Sequence, residues 1–395
     1  MKPNDMDGSN PSRTLLVVTA GMGGGHLGAA RQLSAQLAAR GFDAPLFDLL
    51  AAMRWGYGRF IAGFYRAQLK YARWSYRAIY SLWRKRPDRL AAANATNTRM
   101  ARKALCDRIA EVRPAAIVST YNLATQVLGA LIERGDVDVP TVTFITDFGA
   151  HPYWLHEAMS GYATVHPAAA AAVRSLTSAP VVVTGPFVDP VFAPDARRRE
   201  RTRASLGIGA EDTMALVVAG AWGVGDIEET TADLDAVGGI EPVVVCGGNP
   251  RLVRRLRRRV DAAEHVLGFV DTMPELMDAA DVLVENAGGL TAMEAFASGL
   301  PVVTYRPIPA HGTDNARAMA AAGVSRYAHD RVDLAAELHT VTHPGPERKA
   351  LGDAAGAVTR PDAATVLGEL VERVAPAGRR PRVATTTARE RVRRA

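Results

Sequence analysis

TLLVVTA at Thr14 to Ala20 runs straight into Gly21-Met-Gly-Gly-Gly-His26, and later in the chain MALVVA at Met214 to Ala219 runs straight into Gly220-Ala-Trp-Gly-Val-Gly225. Each is an apolar β-run that empties into glycines and then into a helical pattern. Glycine carries no Cβ, so such a loop brings backbone N–H groups and a helix N-terminus up to an anion or polar ligand with no side chain in the way. Repeated in one chain, the arrangement predicts two α/β lobes facing a cleft.

Around these breaks, strands and helices alternate. Strands are expected at 14–20, 43–48, 115–120, 141–146 and 181–184, with helices near 26–40, 58–84, 97–112, 122–134 and 167–176. The second half repeats the scheme: MALVVA and a helix from Asp226, then PVVVCGG at 242–248 and the helix Pro250 to Ala263. HVLGFV at 265–270, DVLVENAG at 281–288 and PVVTYRP at 301–307 follow. LLVVTA, AAIVST and TVTFIT are continuous rather than alternating apolar runs, the pattern of a parallel sheet covered on both faces. The expected class is therefore α/β, with two Rossmann-like parallel-sheet domains. A chain of 395 residues suits two domains of roughly 150 to 200 residues. The expected boundaries are a disordered N-terminus at 1–12, an N-terminal domain at 13–195 and a linker at 196–212, beside Pro190 and Pro194 and holding Gly207, Gly209 and an Arg-rich run. A C-terminal domain at 213–375 and a basic disordered tail at 376–395 complete the chain.

Hydrophobic content of 48% with 22% charged residues is that of a globular protein. The two cysteines, Cys106 and Cys246, fall in opposite lobes and make no disulfide framework, which points to a reducing cytoplasm. MKPNDMDGSNPSR at the N-terminus has no apolar core, and no apolar run reaches the ~18 residues of a membrane span, so neither secretion nor a span is expected. The net charge of +6 matters less than its placement: Arg54 to Arg89 holds ten Lys or Arg against one acid, Asp88. Ten of the 25 aromatic residues lie there too, among them Trp55, Trp74 and Trp83. An anionic membrane surface selects this mixture, because indole and phenol rings settle at headgroup level while Lys and Arg reach for phosphates. The competing reading is an aromatic helical pair packed on its own lobe with a solvated basic face. Nucleic acid accepts such patches as well, but is not expected as a partner.

Several features of the second lobe carry chemistry. Ala287-Gly-Gly-Leu-Thr291 ends a strand and opens a helix, leaving N–H groups where a pyrophosphate would lie. Glu294 stands three residues after Thr291, which fits either a capping box or a carboxylate accepting both hydroxyls of a ribose. Pro309-Ala-His-Gly-Thr-Asp-Asn315 is a polar loop opening another helix at the same sheet edge. Asp233-Leu-Asp235 matches a metal-binding Asp-x-Asp but sits late in a helical pattern, where solvated surface is expected; His151, His156 and His166 lack zinc spacing. No metal and no resident cofactor is expected. A dinucleotide site on Gly21-x-Gly23-x-x-His26 with Asp48 has His in place of the third glycine and leaves the second lobe's glycine loops unexplained.

Taken in order, TAGMGGGH at 19–26, TDFGAHPYW at 146–154, VTGPFVDPVF at 183–192, GVGDIEET at 223–230, VVVCGGNPRL at 243–252, GFVDTMPELMDAADVLV at 268–284 and AGGLTAMEAFASGLPVV at 287–303 resemble a known family. They are similar to the bacterial diacylglycerol glucosyltransferases and plant monogalactosyldiacylglycerol synthases, GT-B enzymes of glycosyltransferase family 28. The plan is shared with the peptidoglycan GlcNAc transferase. The resemblance spans roughly residues 14–375 and implies an inverting, metal-independent transfer from a UDP-sugar to a lipid hydroxyl at the cytoplasmic face of the membrane.

Carried over residue by residue, it implies His26 as general base, a task a neutral imidazole suits near pH 7, with Asp147 as its partner or an alternative base. Gly24 and Gly25 fall beside the acceptor. The uracil-facing segment falls on Gly268, Phe269 and Val270, the phosphate loop on Ala287, Gly288 and Gly289 with Thr291, and the ribose carboxylate on Glu294. Gly220 and Gly223 would line the cleft below the donor. This chain departs from the family with Asn286-Ala-Gly-Gly-Leu-Thr291 for the usual Lys-Ala-Gly-Pro-Gly-Thr, and with His311-Gly312 for Gln-Glu ahead of Asn315. The Gln-Glu pair is the one expected on the sugar hydroxyls, so the resemblance does not name the transferred sugar. A GT-B epimerase or hydrolase acting on a sugar nucleotide, and a non-catalytic nucleotide-sugar-binding protein at the membrane, are the alternatives.

Overall fold

Leu15–Thr19 (β1) and Thr213–Val218 (β8), the strands feeding the two glycine breaks, are buried almost along their whole length, and each nucleates a six-stranded parallel sheet. The computed structural model describes residues 13–76, 78–79, 87–260, 262–359, 362–375 and 382–383; Trp83 lies outside them. In the first sheet β1 is flanked by Leu46–Asp48 (β2) and Ala116–Ser119 (β3), and Thr141–Ile145 (β5), Gly161–Thr164 (β6) and Val181–Val183 (β7) follow in the order β2-β1-β3-β5-β6-β7. In the second, β8 pairs with Ile240–Val245 (β9) and Val282–Glu285 (β11). Val266–Leu267 (β10), Val302–Tyr305 (β12) and Arg326–Ala328 (β13) complete the order β10-β9-β8-β11-β12-β13. Val137–Asp138 (β4) pairs antiparallel with Arg382–Val383 (β14), a short stretch of the expected tail.

Continuous Val, Leu and Ile runs build these strands because helices cover both faces of each sheet, leaving no solvated side to reward alternation. In each lobe the strand order reverses direction beside the glycine-bearing strand, between β1 and β3 and between β8 and β11. At such a switch point the loops leaving the carboxyl ends diverge and open a crevice.

Two expected boundaries move. Residues 196–206 are a helix of the second lobe rather than a linker. The Arg199 guanidinium donates to the carbonyls of Asp278, Ala279 and Ala280 at 3.1, 3.0 and 2.9 Å, capping the C-terminal end of the helix Met273–Ala279. Buried Arg203 adds Ala279 O at 2.8 Å and the Asp281 carboxylate at 3.3 Å. The helix Ala363–Val374, assigned by sequence to the second domain, packs instead on the first lobe, against β6, β7 and the helix Gly25–Ala38. Gly368 meets the Phe42 ring there, and Leu370 approaches Gly161 closely enough to leave little space for a Cβ. The chain thus crosses back and ties the lobes together.

Candidate active site in the interlobe cleft

The two glycine loops meet each other. A Cβ on Gly24 would stand 2.9 Å from the Ala221 Cβ, and one on Gly28 would stand 2.5 Å from Leu290 Cδ2, so the bare backbone at the start of the first helix is what lets the lobes approach. Between them lies a cavity of about 1070 Å3 lined from both sides. Gly24, Gly25, His26 and Asp147 line it from the first lobe; Gly220, Phe269, Val270, Ala287, Gly289, Thr291, Glu294, His311 and Asn315 line it from the second. Gly223, Gly268 and Gly288 are not among its lining residues, although their neighbours Trp222, Phe269, Ala287 and Gly289 are. Gly223, at φ +61, tucks beneath the Cys246 carbonyl and leaves no space for a Cβ; Gly288, at φ +64, presses on Asn315 and Met319. Both shape the loops from behind.

His26 sits in the first turn of the helix Gly25–Ala38. Its Nδ1 is 3.0 Å from Thr146 Oγ1, and its carbonyl accepts from Thr19 Oγ1 at 3.2 Å. Its ring meets Tyr121 edge-on at 4.9 Å. Burial lowers its pKa and outweighs the opposing Asp147 charge and Thr120 carbonyl, so the imidazole is neutral at neutral pH. Asp147, just past β5, is buried and accepts from Trp154 Nε1 at 2.9 Å, with His151 Nε2 4.0 Å away. Burial pushes its carboxyl up, but the facing imidazoles of His26, His151 and His311 and the Trp154 N–H hold it below the usual carboxylate range. A neutral base thus stands beside a fixed negative charge.

On the other wall, Glu285 closes β11 and organises the loop that follows. Its carboxylate accepts from the N–H groups of Ala287 and Gly288, both at 2.6 Å, and from Thr304 Oγ1 at 2.6 Å. Sequence reading passed over this residue, although an acid ending a buried apolar strand was the available signal. Glu294 projects from the helix Leu290–Ala297. That helix starts after Gly289 with no side-chain cap, so the capping-box alternative is not realised. Burial, reinforced by the Asp189 charge, raises the Glu294 carboxyl to about 8. Asn315 accepts from Gly149 N at 2.8 Å across the cleft and donates to Ala287 O at 3.2 Å; its amide joins the lobes.

Asp233 is no free metal-binding acid. It accepts from Tyr305 Oη at 2.8 Å and from Arg306 Nη2 at 2.7 Å, so the expectation of a merely solvated carboxylate is corrected. Among the described residues no cluster of three His, Cys, Asp or Glu has metal-binding geometry.

The basic aromatic segment has two faces. From the helix Tyr57–Tyr71 and the residues after it, Tyr65, Leu69, Arg73 and Tyr76 turn inward and dock on the second lobe. Leu69 packs with Val224 and Ile308, the Tyr65 ring meets Trp222 at 5.9 Å, and Arg73 forms an ion pair with Asp226. Arg66 donates to Gly248 O at 3.2 Å. The outward face leaves Trp55 82%, Trp74 73%, Tyr71 70% and Phe60 65% exposed. Trp55 is held out by a left-handed backbone, φ 55, and carries the Arg54 guanidinium 4.6 Å over its ring. No helix among the described residues is long and apolar enough to cross a membrane.

Comparison with known proteins agrees with this arrangement. Residues 26–188 match the family model of monogalactosyldiacylglycerol (MGDG) synthase, and residues 228–342 match glycosyl transferases group 1. The chain is 26% identical over 319 residues to the processive diacylglycerol beta-glucosyltransferase of Bacillus pumilus, covering 78% of this chain and 81% of that one. Acinetobacter baumannii MurG superposes with a TM-score of 0.56 at 16% identity over 91% of this chain and 99% of its own. Os79 from O. sativa, solved in complex with UDP, superposes at 0.60 and 15% identity with coverages of 91% and 99%. The chain has the GT-B fold and is similar to the monogalactosyldiacylglycerol synthases and processive diacylglycerol glucosyltransferases.

Proposed function

We propose that this glycosyltransferase moves a hexose from a UDP-sugar to the hydroxyl of a diacylglycerol-like lipid, with inversion at the anomeric carbon, while docked on the anionic inner face of the cell membrane. The observation that carries the reading is one continuous cavity. It joins His26 and Asp147 to the Ala287–Gly289 loop and Glu294, and it has an apolar wall that includes Phe60, Phe64, Leu123 and Leu155. An acyl-bearing acceptor enters along that wall and presents its hydroxyl to His26.

With Nδ1 held at Thr146 Oγ1, His26 takes the acceptor proton on Nε2, and the Asp147 charge stabilises the imidazolium that forms. The acceptor oxygen then displaces UDP from the opposite face in one step. Asp147 is already committed to Trp154 and the histidines, which suits a supporting carboxylate and not a nucleophile. Glu285 holds the Ala287 and Gly288 N–H groups and so fixes the Ala287–Gly289 loop. The diphosphate is received where that loop opens the uncapped helix Leu290–Ala297, Glu294 receives the ribose, and Phe269 and Val270 the uracil. The exposed Trp55, Trp74, Tyr71 and Phe60 enter the headgroup layer while neighbouring Lys and Arg meet its phosphates.

Incubation with a panel of α-linked UDP-hexoses and diacylglycerol in anionic vesicles tests the reading. The expected product is a β-linked glycolipid, recognised by its anomeric coupling constant. Free sugar, an epimerised sugar nucleotide, or UDP binding without any turnover would overturn it.

A further inference from the structure

The cleft contains a hydroxyl–imidazole chain that the transfer reaction as described does not use. His311 opens the helix His311–Ala321 and lines the cavity. Its Nδ1 lies 3.1 Å from the Tyr76 hydroxyl, and the two rings meet edge-on at 5.9 Å and 80°. Tyr76 comes from the other lobe. Its ring meets that of Tyr65 edge-on at 5.1 Å, with the two buried hydroxyls acting on each other. Tyr65 in turn abuts Trp222 in the second glycine loop. The chain therefore leaves the first lobe through Tyr65 and Tyr76 and ends on an imidazole of the second.

Two further features show that His311 is aimed. Ala310, immediately before it, has φ +70, a conformation an L-residue adopts only when its surroundings force it, and Arg306 nearby has φ 47. Strain of this kind gathers where a side chain must be delivered to a set place. With Nδ1 engaged, Nε2 is the ring nitrogen left for a ligand.

We infer that Tyr76 is a positioning residue for the donor sugar: its hydroxyl, supported by Tyr65, donates to His311 Nδ1 and so places the imidazole proton on Nε2, from which it is donated to an oxygen of the transferred hexose. The inference rests on the UDP-sugar reading above and deepens it. Hydrogen-bond direction selects the tautomer, because a neutral imidazole carries one N–H and one lone pair. The Tyr76 hydroxyl stays protonated throughout neutral pH, since burial pushes it up to about 12. The consequence is that the sugar's fit depends on a residue of the acceptor lobe. Donor recognition is complete only when the basic aromatic segment is docked across the cleft.

The test uses the full chain and compares wild type with Tyr76→Phe, which keeps the ring and deletes the hydroxyl. Nitrogen NMR of His311, assigned by difference with His311→Gln, should show Nε2 protonated in wild type and mixed tautomers in Tyr76→Phe. KM for the UDP-sugar should rise about two- to tenfold, the range for one lost hydrogen bond, with UDP affinity unchanged. Tyr65→Phe should produce the same pattern more weakly, and Tyr76→Phe combined with His311→Ala should add nothing to His311→Ala alone. An unchanged His311 tautomer, an equal loss of UDP affinity, or additive effects would overturn the inference. The spectrum needs no turnover: absence of sugar transfer by wild type defeats the glycosyltransferase reading, while the tautomer still judges the pair.

Discussion

Thr146 Oγ1 lies 3.0 Å from His26 Nδ1, so the residue ending the first glycine loop is oriented by the segment leaving β5, a hundred and twenty residues further on. That contact engages Nδ1 of the ring. Asp147, the next residue, supplies the charge beside it.

His26→Ala is expected to lower the transfer rate by about a hundred- to ten-thousandfold, the usual contribution of a general base, and to leave UDP binding unchanged. Steady-state transfer and calorimetric UDP titration check both halves. The pH profile follows from the direction of the shift. The base works when neutral and burial holds its pKa below 6.5, so the limb of the kcat/KM profile that His26 sets should lie below pH 6.5, separate from the limb near pH 8 that Glu294 sets in the free enzyme.

Glu294→Ala is expected to weaken UDP binding by about 1.5 to 3 kcal/mol, the range for hydrogen bonds to a charged group, with little change in melting temperature. Ribose hydroxyls need the ionised carboxylate, yet the empty site holds this group protonated up to about pH 8. Binding at pH 7 should therefore release a proton, visible as a dependence of binding enthalpy on buffer ionisation. The stability sign runs the same way: folding lifts the pKa from 4.5 to about 8, so its contribution is full below 4.5 and lost as pH rises past 8. Glu294→Gln should stabilise the protein at pH 9 and not at pH 4.

Asn315→Ala removes the bond from Gly149 N at 2.8 Å and the one to Ala287 O at 3.2 Å. A buried backbone group left without a partner costs about 1 to 3 kcal/mol; these two are half-buried, so a smaller fall in melting temperature is expected. Because one of the two bonds crosses the cleft, hydrogen exchange should also quicken in the loop around Gly149.

Trp55→Ser with Trp74→Ser should leave the melting temperature unchanged, since both rings are largely exposed at 82% and 73%. Vesicle co-sedimentation should weaken markedly. Wild-type binding to anionic vesicles should decline with salt, each Lys or Arg near the surface contributing about 1 kcal/mol within the screening length, and a salt-insensitive remainder should come from the rings. Unfolding of the double variant would return these residues to a packing role.

Much of this architecture was legible before folding because parallel strands buried on both faces are continuous apolar runs, and β1, β3, β5 and β8 have that form. Gly161–Thr164 does not, and sequence reading missed it. GYAT forms β6 because its neighbours β5 and β7 supply the backbone partners and Leu370, from a helix two hundred residues away, closes over Gly161. A short strand held by its surroundings leaves little trace in its own composition.

The sequence by itself determined the two glycine breaks, the paired sheets, and the presence of His26, Asp147 and Glu294 in the loops and helix starts that follow strands, since backbone freedom and hydrophobic runs are local properties. Only the tertiary structure decided which groups share a cavity. It joined Asn315 to Gly149 and Tyr76 to His311, turned Tyr65, Leu69 and Arg73 onto the second lobe, and returned the helix Ala363–Val374 to the first lobe. Each of these is a contact between residues far apart in the chain, fixed by how two sheets and their covering helices pack, and no local pattern of residues encodes it.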